Sequence, residues 1–172
     1  MFRFISSGDY RLMRRANKWY APRWVRWWMM SASRAGDGWL WYLLGLVILV
    51  FGGQERFVAL MATGLASVGS ILIFQALKRT TGRRRPCEIE PHCWATLLPP
   101  DRFSFPSGHT MTAFACATAI AFFYPATAPA LFFFAFSIAL SRIVLGMHFL
   151  SDVVAGLLIG ALIGWASCQL FL

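Results

Sequence analysis

The sequence predicts an all-α fold, a polytopic transmembrane helical bundle of about five spans preceded by an N-terminal amphipathic interfacial helix. Two observations carry most of this. The 172-residue chain is 58% hydrophobic with 13% charged residues and a mean hydropathy of +0.59, a balance foreign to a water-soluble globular domain. It also holds several uncharged stretches approaching the roughly 20 apolar residues that a helix needs to cross about 30 Å of hydrocarbon. A third observation sets the organisation: every Lys and Arg except Arg56 lies in the N-terminal tail, in the connection over residues 78–105 or in the turn over 141–151.

Residues 1–37 read as a basic membrane-surface segment, and 38–172 as the transmembrane domain. Arg11, Arg14, Arg15 and Lys18 fall at helical spacing on one face, with Leu12, Ala16 and Trp19 on another. Pro22 ends that helix, and Trp24, Trp27 and Trp28 supply rings of the kind that collect at headgroup depth. The tail is basic throughout, with no short apolar core before a small-residue cleavage site, so no signal peptide is expected. Spans are expected over 39–51, 57–77, 109–124, 129–140 and 153–172. The first is short for a span, so it tilts little, begins nearer Ser31 or thins the bilayer. Gly52, Gly53 and Gln54 mark a tight turn after it, and Pro125 to Pro129 mark another. Phe132–Phe134 suit lipid contact, and Gly156, Gly160 and Gly164 suit close helix packing, a spacing that also raises a homodimer as a partner. The net charge of +9 belongs to a membrane-flanking tail and one loop rather than to a soluble module, which excludes nucleic acid.

Chemistry concentrates at span ends: Lys78 with Arg85 and Pro86; Pro106, Ser107, Gly108 and His109; Ser141 and Arg142, then His148 and Asp152. With five antiparallel spans these ends share one side of the membrane. Three cations brought together there call for an anion, and phosphate suits them, because the arginine fork matches phosphate oxygens and lysine adds a point charge. Ser107 and Gly108 fall at a helix start, where unpaired N–H groups and the dipole favour negative charge. His148 and His109 are candidate nucleophile and leaving-group proton donor. One helical turn on, Asp152 is placed to hold the second N–H of His148 and fix its tautomer. Arg79, Arg83 and Arg84 do not share this spacing and are assigned to headgroups. Cys87 and Cys93 with His92 lack a fourth ligand, so no metal or other cofactor is expected, although a disulfide between these cysteines suits an oxidising compartment. Cys116 and Cys168 read as packing residues.

Lys78-x6-Arg85-Pro86, Pro106-Ser107-Gly108-His109 and Ser141-Arg142-x5-His148-x3-Asp152 resemble the three signature motifs of the type-2 phosphatidic acid phosphatase superfamily. The resemblance, with flanking helices, covers more than half of the chain. It implies a metal-independent phosphomonoesterase or pyrophosphatase of the bacterial inner membrane in which His148 attacks phosphorus, Asp152 supports it and His109 protonates the leaving group. It also implies that Lys78, Arg85, Ser107, Gly108 and Arg142 bind the equatorial oxygens. The family's bacterial members often have six spans, against five here. The expected partners are membrane lipids and a lipid phosphate substrate: polyprenyl pyrophosphate, phosphatidylglycerol phosphate, phosphatidic acid or lipid A phosphate. Lipid phosphotransfer by the same nucleophile and a non-catalytic lipid-phosphate transporter or scaffold are the rival readings. The basic residues place the motif side at the cytoplasm by the positive-inside rule, whereas Cys87, Cys93 and the bacterial relatives favour the periplasm, toward which the balance leans.

Overall fold

The computed structural model describes residues 2–90 and 102–172, with side chains from residue 7 onward. Among the described residues eight α-helices follow one another: α1 Phe2–Lys18, α2 Arg23–Ala35, α3 Trp39–Phe51, α4 Arg56–Thr81, the single turn α5 Pro86–Ile89, α6 Gly108–Phe123, α7 Ala128–Val144 and α8 Leu150–Gln169. The five apolar stretches of the sequence are α3, α4, α6, α7 and α8. Short 3-10 turns at Gly53–Glu55 and Pro125–Thr127 form the expected tight connections.

Length separates these helices. With their flanking 3-10 turns, α4 and α7 are long and apolar enough to cross a membrane, and so is α8 alone. Helix α3 has 13 residues and meets the requirement only jointly with α2, from which it is bent by 63°; α6 has 16 and is a shorter apolar helix. Among the described residues, three helices are thus long and apolar enough to cross a membrane, or four with the bent pair counted as one, and α3 and α6 are the two of the five expected apolar helices that fall short of full length on their own. The bend falls at Gly36–Gly38, where Gly38 takes a left-handed φ of +116° that suits glycine. The amphipathic helix expected before Pro22 is α1, which stops at Lys18; a second helix, α2, not expected from the sequence, follows with Pro22 at its N-cap.

Small residues lie inside and large apolar ones outside, as lipid solvent dictates. Ala59, Ala62 and Ala66 of α4 and Ala113, Ala115, Ala117 and Ala119 of α6 are fully buried, whereas Leu46, Phe57, Leu72, Leu158, Leu162 and Trp165 are exposed. Helix α6 is the axis around which α4, α7 and α8 pack. Its contact with α8 is a glycine ladder. A Cβ at Gly156 would meet the Ser107 carbonyl oxygen at 2.7 Å, and Cβ atoms at Gly160 and Gly164 would run into the carbonyls of Met111 and Ala115. The small-residue stripe thus serves packing within one chain. This close approach draws the starts of α6 and α8 together, and the Ser107 N–H donates to the Asp152 carbonyl oxygen over 3.0 Å.

Candidate active site

The start of α6, the end of α4, the α4–α5 connector and the α7–α8 turn meet at one end of the bundle. Within it His148 and Arg85 are 2% and 1% exposed and Asp152 is fully buried, so their geometry is set by packing. Helix α7 ends at Val144, and Gly146, at φ +68°, reverses the chain so that the Met147 and His148 N–H groups both donate to the Arg142 carbonyl oxygen over 3.0 Å. That turn aims the imidazole at the connector. His148 Nδ1 lies 2.6 Å from the Ser104 carbonyl oxygen, an acceptor that requires Nδ1 to carry the proton. Nε2 therefore holds the lone pair, and Arg85 Nη1 stands 3.3 Å from it while donating to the Met147 carbonyl oxygen at 2.9 Å. Burial first, then Arg142, Arg85 and Lys78, push the His148 pKa well below the ordinary imidazole range. That shift favours the neutral ring, the form in which Nε2 keeps its lone pair.

One sequence expectation is revised here. Asp152 was expected to hold the second His148 N–H, but its Oδ2 lies 3.7 Å from Nδ1, beyond hydrogen-bond reach, and accepts instead from the Phe149 N–H at 2.8 Å. The closest partner of Nδ1 is the Ser104 carbonyl. Ser104 is held by its own N–H, which donates to the Arg83 carbonyl oxygen at 2.8 Å beside the Arg84–Phe103 bridge. A backbone acceptor carries no side-chain signature, so motif spacing could not reveal it. The second Asp152 oxygen takes Arg83 Nη1 at 2.7 Å, so Arg83, assigned from sequence to headgroups, faces the site instead.

The remaining candidate residues lie at the same end of the bundle, with further partners. Lys78 and Arg142 are 7% and 3% exposed, and both act electrostatically on His148 and His109. Lys78 Nζ stands 5.2 Å from the centre of the Phe74 ring, and Arg142 Nη1 donates to Ser33 Oγ of α2. Ser107 caps α6 and pairs with Thr110 Oγ1 at 2.9 Å, while Gly108 packs its bare Cα against Phe74. The Ser107 N–H is committed to α8, which leaves the first-turn N–H groups from Gly108 onward to face an anion. His109 Nε2 lies 2.7 Å from Asp37 Oδ1, contributed by the bend between α2 and α3. Asp37 was not foreseen, since 72 residues separate it from His109. Beside this pair opens a groove of about 310 Å³ lined by Trp41, Tyr42, Ile71, Phe74 and His109 among others. Among the described residues no group of His, Cys, Asp and Glu is arranged to hold a metal ion. His92 and Cys93, and with Cys93 the expected disulfide, lie outside the described residues.

Comparison with known proteins places the chain in a family. The family model of the PAP2 superfamily matches residues 39–172, which include every motif residue above. The chain belongs to the PAP2 superfamily. This PAP2 chain is 29% identical over 141 residues to a lipid A 1-phosphatase of Rhizobium johnstonii, covering 70% of the chain and 58% of that relative. It is 34% identical over 128 residues to the decaprenylphosphoryl-5-phosphoribose phosphatase of Mycobacterium tuberculosis, covering 74% and 68%. The chain thus spans little more than half the length of the first of these. Among solved structures, Aquifex aeolicus LpxE superposes with a TM-score of 0.76 at 28% identity, over 92% of this chain and 93% of that one. A PAP2-type phosphatidylglycerolphosphate phosphatase of Bacillus subtilis shares the fold with a TM-score of 0.73 at 22% identity, over 96% and 85%.

Proposed function

We propose that the protein is an integral-membrane lipid phosphatase that hydrolyses a lipid phosphomonoester or pyrophosphate through a phosphohistidine intermediate at His148. The observation that carries this is the tautomer of a buried histidine. The Ser104 carbonyl fixes the proton on Nδ1, so the Nε2 lone pair points at the cluster of Arg85, Lys78 and Arg142. Phosphate held by those cations and by the first turn of α6 presents phosphorus to Nε2, and the same groups stabilise the equatorial oxygens as charge spreads over them. Nε2 attacks phosphorus as the bond to the leaving oxygen breaks, and His109 gives that oxygen a proton. Water then cleaves the N–P bond. Asp152 acts by compensating charge and capping α8, and Ser104 by fixing the tautomer.

The groove beside His109 and Asp37 is walled by apolar and aromatic side chains, and we assign it to the lipid part of the substrate. The relatives' names supply the candidates to be tried first, lipid A 1-phosphate, a polyprenyl-linked phosphate and phosphatidylglycerol phosphate, and the sequence motifs add polyprenyl pyrophosphate and phosphatidic acid. Residues 1–37 are assigned to the membrane surface, supported by the exposed Trp24 and Trp27 and the exposed cations of α1. The bacterial inner membrane with the site facing the periplasm is the location proposed. The test is orthophosphate release by detergent-purified protein from that lipid panel with EDTA present. Turnover in the wild type and none in His148→Ala is expected; turnover surviving in the variant overturns the nucleophile assignment. Phosphate appearing on a lipid acceptor instead of in water favours the phosphotransferase.

A further inference from the structure

The family match begins at residue 39, yet a residue of α1 reaches the back of the catalytic cluster. Asp9 is 6% exposed. Its carboxylate accepts from the Ser151 N–H at 3.1 Å, from Ser151 Oγ at 2.5 Å and from Arg83 Nη2 at 2.7 Å. The same guanidinium uses Nη1 to reach Asp152 Oδ1 and Ser151 Oγ, both at 2.7 Å, and lies 4.3 Å from the centre of the Phe149 ring. One arginine is thus shared between two buried carboxylates, one from α1 and one from α8. The second carboxylate stands one side chain from the nucleophile. A second clasp holds α1 in register: Tyr10 Oη donates to Glu90 Oε1 at 2.6 Å and Arg14 Nε donates to it at 2.9 Å.

Burying two carboxylates near each other is costly unless a cation lies between them, and a shared fork meets that need only in one geometry. A lysine in place of Arg83 could satisfy one carboxylate but not both. Because the Arg83 carbonyl also accepts from the Ser104 N–H, the residue that bridges the carboxylates is the residue that seats the acceptor of His148 Nδ1. Displacing Arg83 therefore disturbs both supports of the imidazole together.

We infer that Asp9 and Arg83 are positioning residues for His148, acting as one chain through Asp152 and Ser104, so that α1 is part of the catalytic unit. This rests on the phosphatase reading. The charged and titratable groups facing His148 are Lys78 of α4, Arg85 of the connector, His109 of α6, Arg142 at the end of α7 and Asp152 of α8; Arg83 and Asp9 stand behind Asp152. Removing the Arg83 cation leaves Asp152 uncompensated and favours imidazolium, whereas removing the Asp9 anion disfavours it.

The test is the pH profile of kcat/KM for the wild type, Arg83→Gln, Arg83→Lys, Asp9→Asn and His148→Ala on the lipid panel above. Arg83→Gln should lower kcat by about 10- to 100-fold with little change in KM, as loss of an outer partner does at other preorganised sites. Its acid limb should move to higher pH and that of Asp9→Asn to lower pH, while Arg83→Lys returns the limb toward the wild type. A loss of folded protein scales rates at every pH and moves no limb. Unmoved limbs, or limbs moved in the same direction by both neutralising variants, overturn the inference and make the chain a tether for α1. Absence of turnover by the wild type on every lipid overturns the phosphatase reading and this inference with it, whereas an active wild type with an inert His148→Ala isolates the inference.

Discussion

The two histidines occupy opposite environments. His148 is buried, with its two ring nitrogens facing a backbone carbonyl and an arginine. His109 lines an apolar groove and touches an exposed carboxylate from a bend between two helices. A nucleophile gains from preorganisation, because one tautomer and one trajectory must be held while charge develops on phosphorus. The leaving-group acid of the proposed mechanism must instead meet the substrate, and the groove beside His109 leaves room for one. The closed half rests on the α6–α8 glycine ladder, where backbones touch. The open half rests on the α2–α3 bend, with Asp37 at its tip.

That contrast breaks first at Arg85. Arg85→Ala removes the group beside Nε2 and leaves the Met147 carbonyl without its donor, so kcat/KM should fall by about 10³-fold, as on loss of a preorganised transition-state donor. Steady-state kinetics with a thermal melt checks this, and a loss below tenfold would show that the closed half is not organised around Nε2. Next is the open half. His109→Ala should lower turnover of an alkyl phosphate by about 10²- to 10⁴-fold, the range of general acid catalysis, and much less with p-nitrophenyl phosphate, whose leaving group needs no proton. Equal losses on both substrates would remove His109 from the acid role. Asp152→Asn sharpens the revised orientation: with Ser104 as the acceptor of Nδ1–H, the loss should be well short of the roughly 10⁴-fold seen when a triad carboxylate that holds the imidazole is neutralised.

Smaller effects follow. Because burial and three neighbouring cations depress the His148 pKa, the imidazole stays neutral as pH falls through the ordinary histidine range, and protonation removes activity only below it. With p-nitrophenyl phosphate, whose leaving group needs no proton from His109, the acid limb of kcat/KM is expected below that range, and an acid limb at the ordinary imidazole value would contradict the buried environment of His148. In the groove, Tyr42→Ala should alter discrimination between lipid chains by about 10-fold or less, the scale of apolar pocket contacts, with kcat on p-nitrophenyl phosphate unchanged.

Sequence legibility follows the same division. The apolar stretches that became α3, α4, α6, α7 and α8 were readable because lipid solvent imposes length and composition on helices. The convergence of Lys78, Arg85, His109, Arg142, His148 and Asp152 was readable because each sits at a span end on one side. The 63° bend before α3 was not, since it depends on Gly36–Gly38 and on packing. Neither were the partners of the histidines. Ser104 contributes a backbone oxygen, Asp37 comes from a distant bend, and Arg83 was one arginine in a basic run until folding set it between Asp9 and Asp152. Long-range contacts of this kind leave no period or spacing along the chain.

The central claim is that His148 Nε2 takes the phosphoryl group. Rapid acid-free quenching of the protein with a lipid substrate labelled in its phosphate, followed by separation under alkaline conditions, tests it directly. The account predicts label on the wild-type protein that is stable to base, lost in acid and absent from His148→Ala. Turnover without any protein-bound label, or label that persists in His148→Ala, would contradict it.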